Sequence, residues 1–237
     1  MAALKTSPLR YVIPNGITIF AVFLAFLSAH YAINGDYQSA AWFIIFCFIA
    51  DTVDGGVARM LNASSAIGQE LDSLADVINL GIVPGILVYQ VYEPALGWGS
   101  FLLGFIHTVA VAGRLARFNT TGKESREFFL GLPSPHVAAA ITTFILFSDA
   151  VWGEYRYAGF VVVMVIGLAA LMFSNMRFES SYFIAPGNAL ASWQGWVFTT
   201  AAALMVIWPR HIFFLLTVGM ILQGPVRSLR RRIVKPA

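Results

Sequence analysis

Residues 51–76 read Asp51-Thr-Val-Asp54-Gly55-Gly-Val-Ala58-Arg59-Met-Leu-Asn-Ala-Ser-Ser65-Ala-Ile-Gly68-Gln-Glu-Leu-Asp72-Ser-Leu-Ala-Asp76. The chain has six aspartates, and four of them stand in this one stretch, between two long apolar runs. On a helix, Asp51, Asp54, Gly55 and Ala58 share one face; Gly68, Asp72 and Asp76 share a face of the next helix. The short connection from Asn62 to Ala66 makes the two helices antiparallel neighbours, so the acidic faces converge. Four converging carboxylates without matching cations repel one another, and a divalent ion bound by oxygen ligands is the simplest relief. Hard oxygen donors with neither His nor Cys select magnesium or manganese over zinc. Two such ions, roughly 3.5–4 Å apart, clamp an in-line displacement at phosphorus. Gly55, Gly56, Ala58 and Gly68 leave room for a bulky diphosphate, and Arg59, one turn further on, can pair with phosphate oxygens.

Both flanks of this stretch are apolar, and the pattern continues along the chain. Of 237 residues, 58% are hydrophobic and 11% charged, against roughly 45–50% and about 25% in a soluble domain. Apolar runs near the ~20 residues needed to cross a bilayer core fall at 16–33, 38–61, 67–92, 97–118, 133–152, 157–175, 189–208 and 211–226. The last is short enough to be a re-entrant or interfacial segment. The runs are continuously apolar and not alternating, which excludes a barrel and leaves helices. The expectation is an all-α integral membrane protein, one polytopic bundle of about eight helices filling residues 1–237 as a single domain.

Lys5 and Arg10 precede the first run. Arg59, Arg114, Arg117, Lys123, Arg126 and Arg177 lie near the connections that even-numbered runs open into, and Arg227, Arg230, Arg231, Arg232 and Lys235 follow the last. Only Arg156 and Arg210 fall on the other side. The positive-inside rule then puts both termini and the acidic motif toward the cytoplasm of a cell (inner) membrane. The connections around Gly35, Glu93, Trp152 and Pro209 face outward. The basic pI, near 9.2, is explained by topology and anionic headgroups and requires no nucleic acid. Cys47 is the sole cysteine, which excludes an internal disulfide or a cysteine-based metal site. No small-residue cleavage pattern follows the first run, so a retained first helix is expected. Residues 1–15 form a cytoplasmic leader, either interfacial or disordered, and 227–237 a basic cytoplasmic tail.

An ionisable side chain at the centre of a membrane helix costs about 2.5–3.5 kcal/mol on insertion scales. Such residues also serve proton relays and ion pathways, and small residues at helical spacing serve close helix packing. A transporter built on the acidic cluster would account for the aspartates. It would not account for the glycine, alanine and arginine positions that accompany them.

Asp51-x-x-Asp54-Gly55-x-x-Ala58-Arg59, eight residues, then Gly68-x-x-x-Asp72-x-x-x-Asp76 resembles the complete signature of the CDP-alcohol phosphotransferases. That resemblance implies that Asp51, Asp54, Asp72 and Asp76 bind two divalent ions (Mg2+ or Mn2+), with Asp76 also the general base. It implies that Gly55, Ala58, Arg59 and Gly68 bind the CDP-lipid, CDP-diacylglycerol, and that Ser65 lies near its diphosphate. Pro14-Asn15-Gly-Ile-Thr18 is similar to the start of the family's first helix, which places Asn15 and Thr18 beside the nucleotide. A homodimer is implied as well. In the implied reaction, the acceptor hydroxyl gives its proton to Asp76 as its oxygen attacks the phosphorus bearing diacylglycerol, and CMP leaves.

Leu71-Asp-Ser-Leu-Ala-Asp76-Val, Gly81-Ile-Val-Pro84, Arg114-Leu-Ala-Arg117-Phe-Asn119 and Phe129-Leu-Gly-Leu-Pro133-Ser-Pro135 resemble the phosphatidylserine synthase branch, which implies L-serine as acceptor. Asn79-Leu80 departs from the branch's usual Ser-Phe or Cys-Phe, and Arg177-Phe-Glu-Ser-Ser181 lacks a lysine often found there. Glycerol 3-phosphate, inositol phosphate, choline and glycerol stay open as acceptors. Arg114, Arg117 and Asn119 are the acceptor-binding candidates, since a guanidinium holds a carboxylate or phosphate in two places; as helix-end arginines they also set topology and snorkel to headgroups. His30, His107, His136 and His211 have no metal-ligand spacing and are expected to be packed or interfacial.

Overall fold

The computed structural model describes residues 9–61, 63, 65–121, 128–179 and 208–234. In chain order these form α1 (Leu9–Ile33), α2 (Tyr37–Leu61), α3 (Ala66–Asp76), a π-helical segment (Val77–Ile82), α4 (Val83–Leu96), α5 (Trp98–Thr121), β1 (Phe128–Leu130), α6 (Ser134–Trp152), α7 (Ala158–Phe173), β2 (Arg177–Glu179) and α8 (Pro209–Val234). Five stretches are long and apolar enough to cross a membrane: Tyr11–Ile33, Tyr37–Ala58, Ala66–Leu96, Trp98–Thr120 and Ser134–Trp152. The chain is a multi-pass helical membrane protein.

The expected count of eight is therefore not reached among the described residues. Helix α7 has 16 residues, about 24 Å at 1.5 Å per residue, short of a hydrocarbon core of ~30 Å. The run 189–208 lies outside the described residues except for Trp208, and 211–226 falls inside α8, which is not one of the five. Residues 9–15 are not a separate leader segment: α1 starts at Leu9 and runs through Pro14. Residues 1–8 and 235–237 lie outside the described residues, and 227–234 continue α8.

Helices α1 and α2 form the most extensive pair, an antiparallel hairpin, and α4 pairs with α5. That second pair is close because neither facing glycine carries a side chain. A Cβ on Gly85 would sit 2.7 Å from the Gly104 carbonyl oxygen, and one on Gly104 would collide with the Gly85 carbonyl. The core lies where α4, α5, α6 and α7 meet, around Leu87, Tyr92, Leu132, Ile141, Ile145, Leu146 and Met172. Phe20, Phe23, Phe26, Phe105 and Val163 are exposed outside it, as a lipid-facing surface requires. The short β1–β2 pairing, with Phe129 opposite Phe178, was not foreseen from the apolar runs. Just after β1, Gly131 sits at φ +79°, where any Cβ would strike the Met172 carbonyl.

The bundle has two chemically different ends. At one, Gln38 Nε2 and Arg210 Nη1 both donate to Asp149 Oδ2, at 2.6 and 3.0 Å, and the Tyr37 hydroxyl donates to the Gln90 carbonyl at 3.1 Å. These contacts gather the connections near Gly35, Glu93, Trp152 and Pro209, the four expected to share a side. The acidic motif stands at the other end.

Candidate active site

Helix α2 carries Asp51 and Asp54 in its last turns, and α3 starts after a short connection. Ser65 caps α3: its Oγ accepts the Gly68 N–H at 3.0 Å, satisfying one of the donors a helix start leaves open. The spacing then brings the acidic faces together as the sequence predicts. Asp51, Asp54 and Asp72 each offer a carboxylate oxygen, and these oxygens lie within 4.8 Å of one another. The carboxyls of Asp51 and Asp76 lie against each other.

The arrangement fits a divalent cation. Every donor is a hard oxygen, and Asp51 Oδ1 and Asp76 Oδ1 are buried without a hydrogen-bond partner among the described residues. A buried carboxylate oxygen left unpaired costs free energy that a cation recovers. The three-carboxylate cluster can thus bind a metal ion.

Helix α1 closes the site from the side. The Thr18 hydroxyl, 3.2 Å from the Pro14 carbonyl, donates to Asp54 Oδ2 at 2.6 Å, and Asp54 is only 3% exposed. Thr18 therefore orients a carboxylate, a role the sequence does not announce because the two residues are 36 apart. Asn15 lies beside Gly68: a Cβ at Gly68 would be 3.0 Å from both Asn15 Oδ1 and Ser65 Oγ. The absence of a side chain at Gly68 allows this three-way fit. Gly55 and Ala58 are half-buried on the acidic face of α2, with open space at neighbouring Gly56. Arg59 is in the last turn of α2, and its side chain lies outside the described set.

The three acceptor candidates on α5 separate. Arg114 is 6% exposed, within electrostatic reach of Asp76 and His136, and its Nη1 donates to Ser134 Oγ at 3.3 Å. Arg117 instead donates to two backbone carbonyls, Leu130 at 2.8 Å and Phe173 at 3.3 Å, and so clasps β1 to the end of α7. Asn119 Nδ2 donates to Ser73 Oγ at 3.2 Å, next to Asp72. Sequence reasoning gave Ser73 and Ser134 no place in the site and expected His136 only to be packed or interfacial. Only Ser134 carried a signal, since it belongs to the Pro133-Ser-Pro135 motif. His107 is buried in the helix packing, as expected of it.

The sequence model of the CDP-alcohol phosphatidyltransferase family matches residues 11–222. The chain belongs to this family. Its relatives include a CDP-diacylglycerol–serine O-phosphatidyltransferase of Helicobacter pylori (strain J99), 32% identical over 176 residues, which are 72% of this chain and 73% of the relative. Proteins of the same name from Mycobacterium tuberculosis (strain CDC 1551) and Bacillus subtilis (strain 168) are 28% identical over 234 residues and 29% over 167. The alignments cover 92% of this chain and 79% of the first, and 70% and 89% for the second. Family membership accounts for the paired acidic helices, because the whole signature lies inside the matched region.

Proposed function

We propose that this protein is a phosphatidylserine synthase, transferring the phosphatidyl group of CDP-diacylglycerol to the hydroxyl of L-serine with release of CMP. The observation that carries the reading is the convergence of Asp51, Asp54 and Asp72 within 4.8 Å in a chain whose relatives carry that enzyme name.

Asp51, Asp54, Asp72 and Asp76 hold two divalent ions, Mg2+ or Mn2+. Ions held there would supply positive charge against the diphosphate and the departing CMP. Asn15, Gly55, Ala58, Arg59, Ser65 and Gly68 form the wall against which the CDP-lipid lies, and Thr18 keeps Asp54 turned inward. Asp76 is the general base: its buried oxygen, without a hydrogen-bond partner among the described residues, accepts the serine hydroxyl proton late, as the P–O bond forms and acidifies the hydroxyl. The new bond joins serine oxygen to phosphorus, and the phosphorus–CMP bond breaks in line. Arg114 suits the serine carboxylate, being buried, cationic and near Asp76, and Asn119 steadies the Asp72 turn through Ser73. Arg117, bound to two carbonyls, serves the fold.

The rest of the reading is a single membrane domain over residues 1–237, a family-type bundle with more spans than the five above, working as a homodimer. It sits in the cell membrane with both termini and the site toward the cytoplasm, as the Lys/Arg asymmetry supports. Purified protein in detergent with labelled CDP-diacylglycerol and a panel of serine, glycerol 3-phosphate, inositol phosphate, choline and glycerol tests it. Metal-dependent CMP release with serine is expected, and Asp76→Asn lowers turnover about 10²–10⁴-fold. Release with a different acceptor alone rejects serine, release with none rejects the enzyme, and near wild-type turnover in Asp76→Asn rejects the base.

A further inference from the structure

Asp76 is the last residue of α3, and the six residues after it, Val77–Ile82, form the π-helical segment. Segments of this kind are rare and carry about one extra residue relative to an α-helix. One residue is worth about 100° of rotation about the axis. The segment therefore sets the angle between the acidic face of α3 and the face of α4 that touches α5.

The sequence supplies a cause. Pro84 has no N–H, so it cannot serve the carbonyl four residues earlier, which is that of Leu80. Helix α5 supplies a donor instead: His107 Nε2 donates to the Leu80 carbonyl oxygen at 2.8 Å. Since a carbonyl only accepts, this nitrogen carries the proton. Thr108 Oγ1 lies 3.2 Å from the next carbonyl, Gly81. A Cβ on Gly81 would be 3.3 Å from the Val111 side chain. His107 is 2% exposed, in contact with backbone and not with the acidic cluster. Gly104, His107, Thr108 and Val111 thus form one face of α5 against the π segment, and the polar pair on it meets the carbonyls beside the proline.

We infer that His107 is a positioning residue for Asp76: its Nε2–H holds the π segment that aims Asp76 at Asp51 and the shared cation site. The inference rests on the proposed phosphatidyl transfer for its kinetic readout and on cation binding alone for its second. A merely structural histidine would lower stability and leave both unchanged in the protein that remains folded. A positioning residue changes kcat and cation affinity while the lipid-binding wall, built from α1, α2 and the start of α3, is untouched.

The test compares His107→Leu with His107→Gln, whose amide nitrogen replaces Nε2, in detergent. CMP release and Mn2+ titration by electron paramagnetic resonance are measured for each. His107→Leu is expected to lower kcat about 10–100-fold, the range seen when a partner orienting a metal ligand is lost. It should weaken Mn2+ binding and leave KM for CDP-diacylglycerol within about twofold, while His107→Gln recovers most of both losses. The double variant Pro84→Ala/His107→Leu gives the Leu80 carbonyl an N–H within its own helix. It should regain thermal midpoint without regaining kcat or Mn2+ affinity.

His107→Leu with unchanged kcat and Mn2+ affinity overturns the inference, as does a His107→Gln no better than His107→Leu, or a double variant restored in both readouts. If His107→Leu does not fold, His107→Asn, whose amide stops short of the carbonyl, takes its place against His107→Gln. A wild type that releases no CMP with any acceptor rejects the enzymatic reading, and the Mn2+ titrations still decide the role of His107.

Discussion

Asp149 and Asp51 are both aspartates near the end of a helix in an apolar bundle, and the protein treats them in opposite ways. Asp149 receives Gln38 and Arg210, so its charge is answered within the chain. Nearby, burial, ahead of the Asp149 charge, pushes the Tyr155 phenol up to about 12. Asp51 keeps a buried oxygen with no partner among the described residues, beside three other carboxylates. A carboxylate answered by the chain ties helices together, and one left unanswered is a standing cost that only something from outside removes. The end near Asp149 is built for the fold, and the end near Asp51 for a ligand.

The largest test of this contrast neutralises one acid at the ligand end. Asp51→Asn should reduce CMP release by at least about a hundredfold, since loss of a direct ligand exceeds the 10–100-fold typical of its supporting partners. In chelator the same variant should melt higher than the parent, because one of the mutually repelling charges is gone. A lower melting point without metal would erase the distinction between the two ends. Next in size, Thr18→Val removes the 2.6 Å hydrogen bond to Asp54 and should raise the metal concentration for half-maximal activity about 10–100-fold. Thr18→Ser should stay near the parent.

At the other end, Asp149→Leu should cost about 1–3 kcal/mol of stability through loss of charge-assisted hydrogen bonds, read as a lower thermal midpoint with kcat unchanged. A fall in kcat there would mean that the ends are coupled. The smallest effect belongs to Asp36, which accepts the Ser39 N–H at 3.1 Å at the start of α2. Asp36→Ala should lower stability by about 1 kcal/mol, as loss of a helix cap does. Side-chain and backbone hydrogen bonds from Ser39 hold the Asp36 carboxyl below its ordinary 3.8. The cap's contribution is present above that value and fades as pH falls through the folded-state value, so parent and variant should converge in acid.

The acidic faces were legible because helical periodicity alone places Asp51 with Asp54, and Asp72 with Asp76, and only a short connection separates the two helices. Three features were not. Arg114 and Arg117 stand one turn apart, each between a small and a large apolar neighbour, and only the fold shows that one is buried near Asp76 while the other holds the Leu130 and Phe173 carbonyls. The Thr18–Asp54 bond joins residues 36 apart, beyond the reach of any local pattern. The π segment interrupts one continuous apolar run, 66–96, whose hydropathy does not register an extra residue per turn. Its only trace was Pro84, which marks the vacant donor and says nothing of His107 filling it. Of the eight expected spans, five are met among the described residues; hydropathy found the run 157–175 but not that its helix, Ala158–Phe173, is short and leads into the β1–β2 pairing.

The tie between Thr18 and Asp54 also bears on how the molecule is made. All the carboxylates of the cluster and the hydroxyl that steers one of them are encoded between residues 18 and 76, ahead of α4 to α8. The cluster can close as soon as three helices have entered the bilayer, before the later helices are made. A cation captured at that stage would staple a half-made protein and spare its nascent helices a period of mutual electrostatic strain.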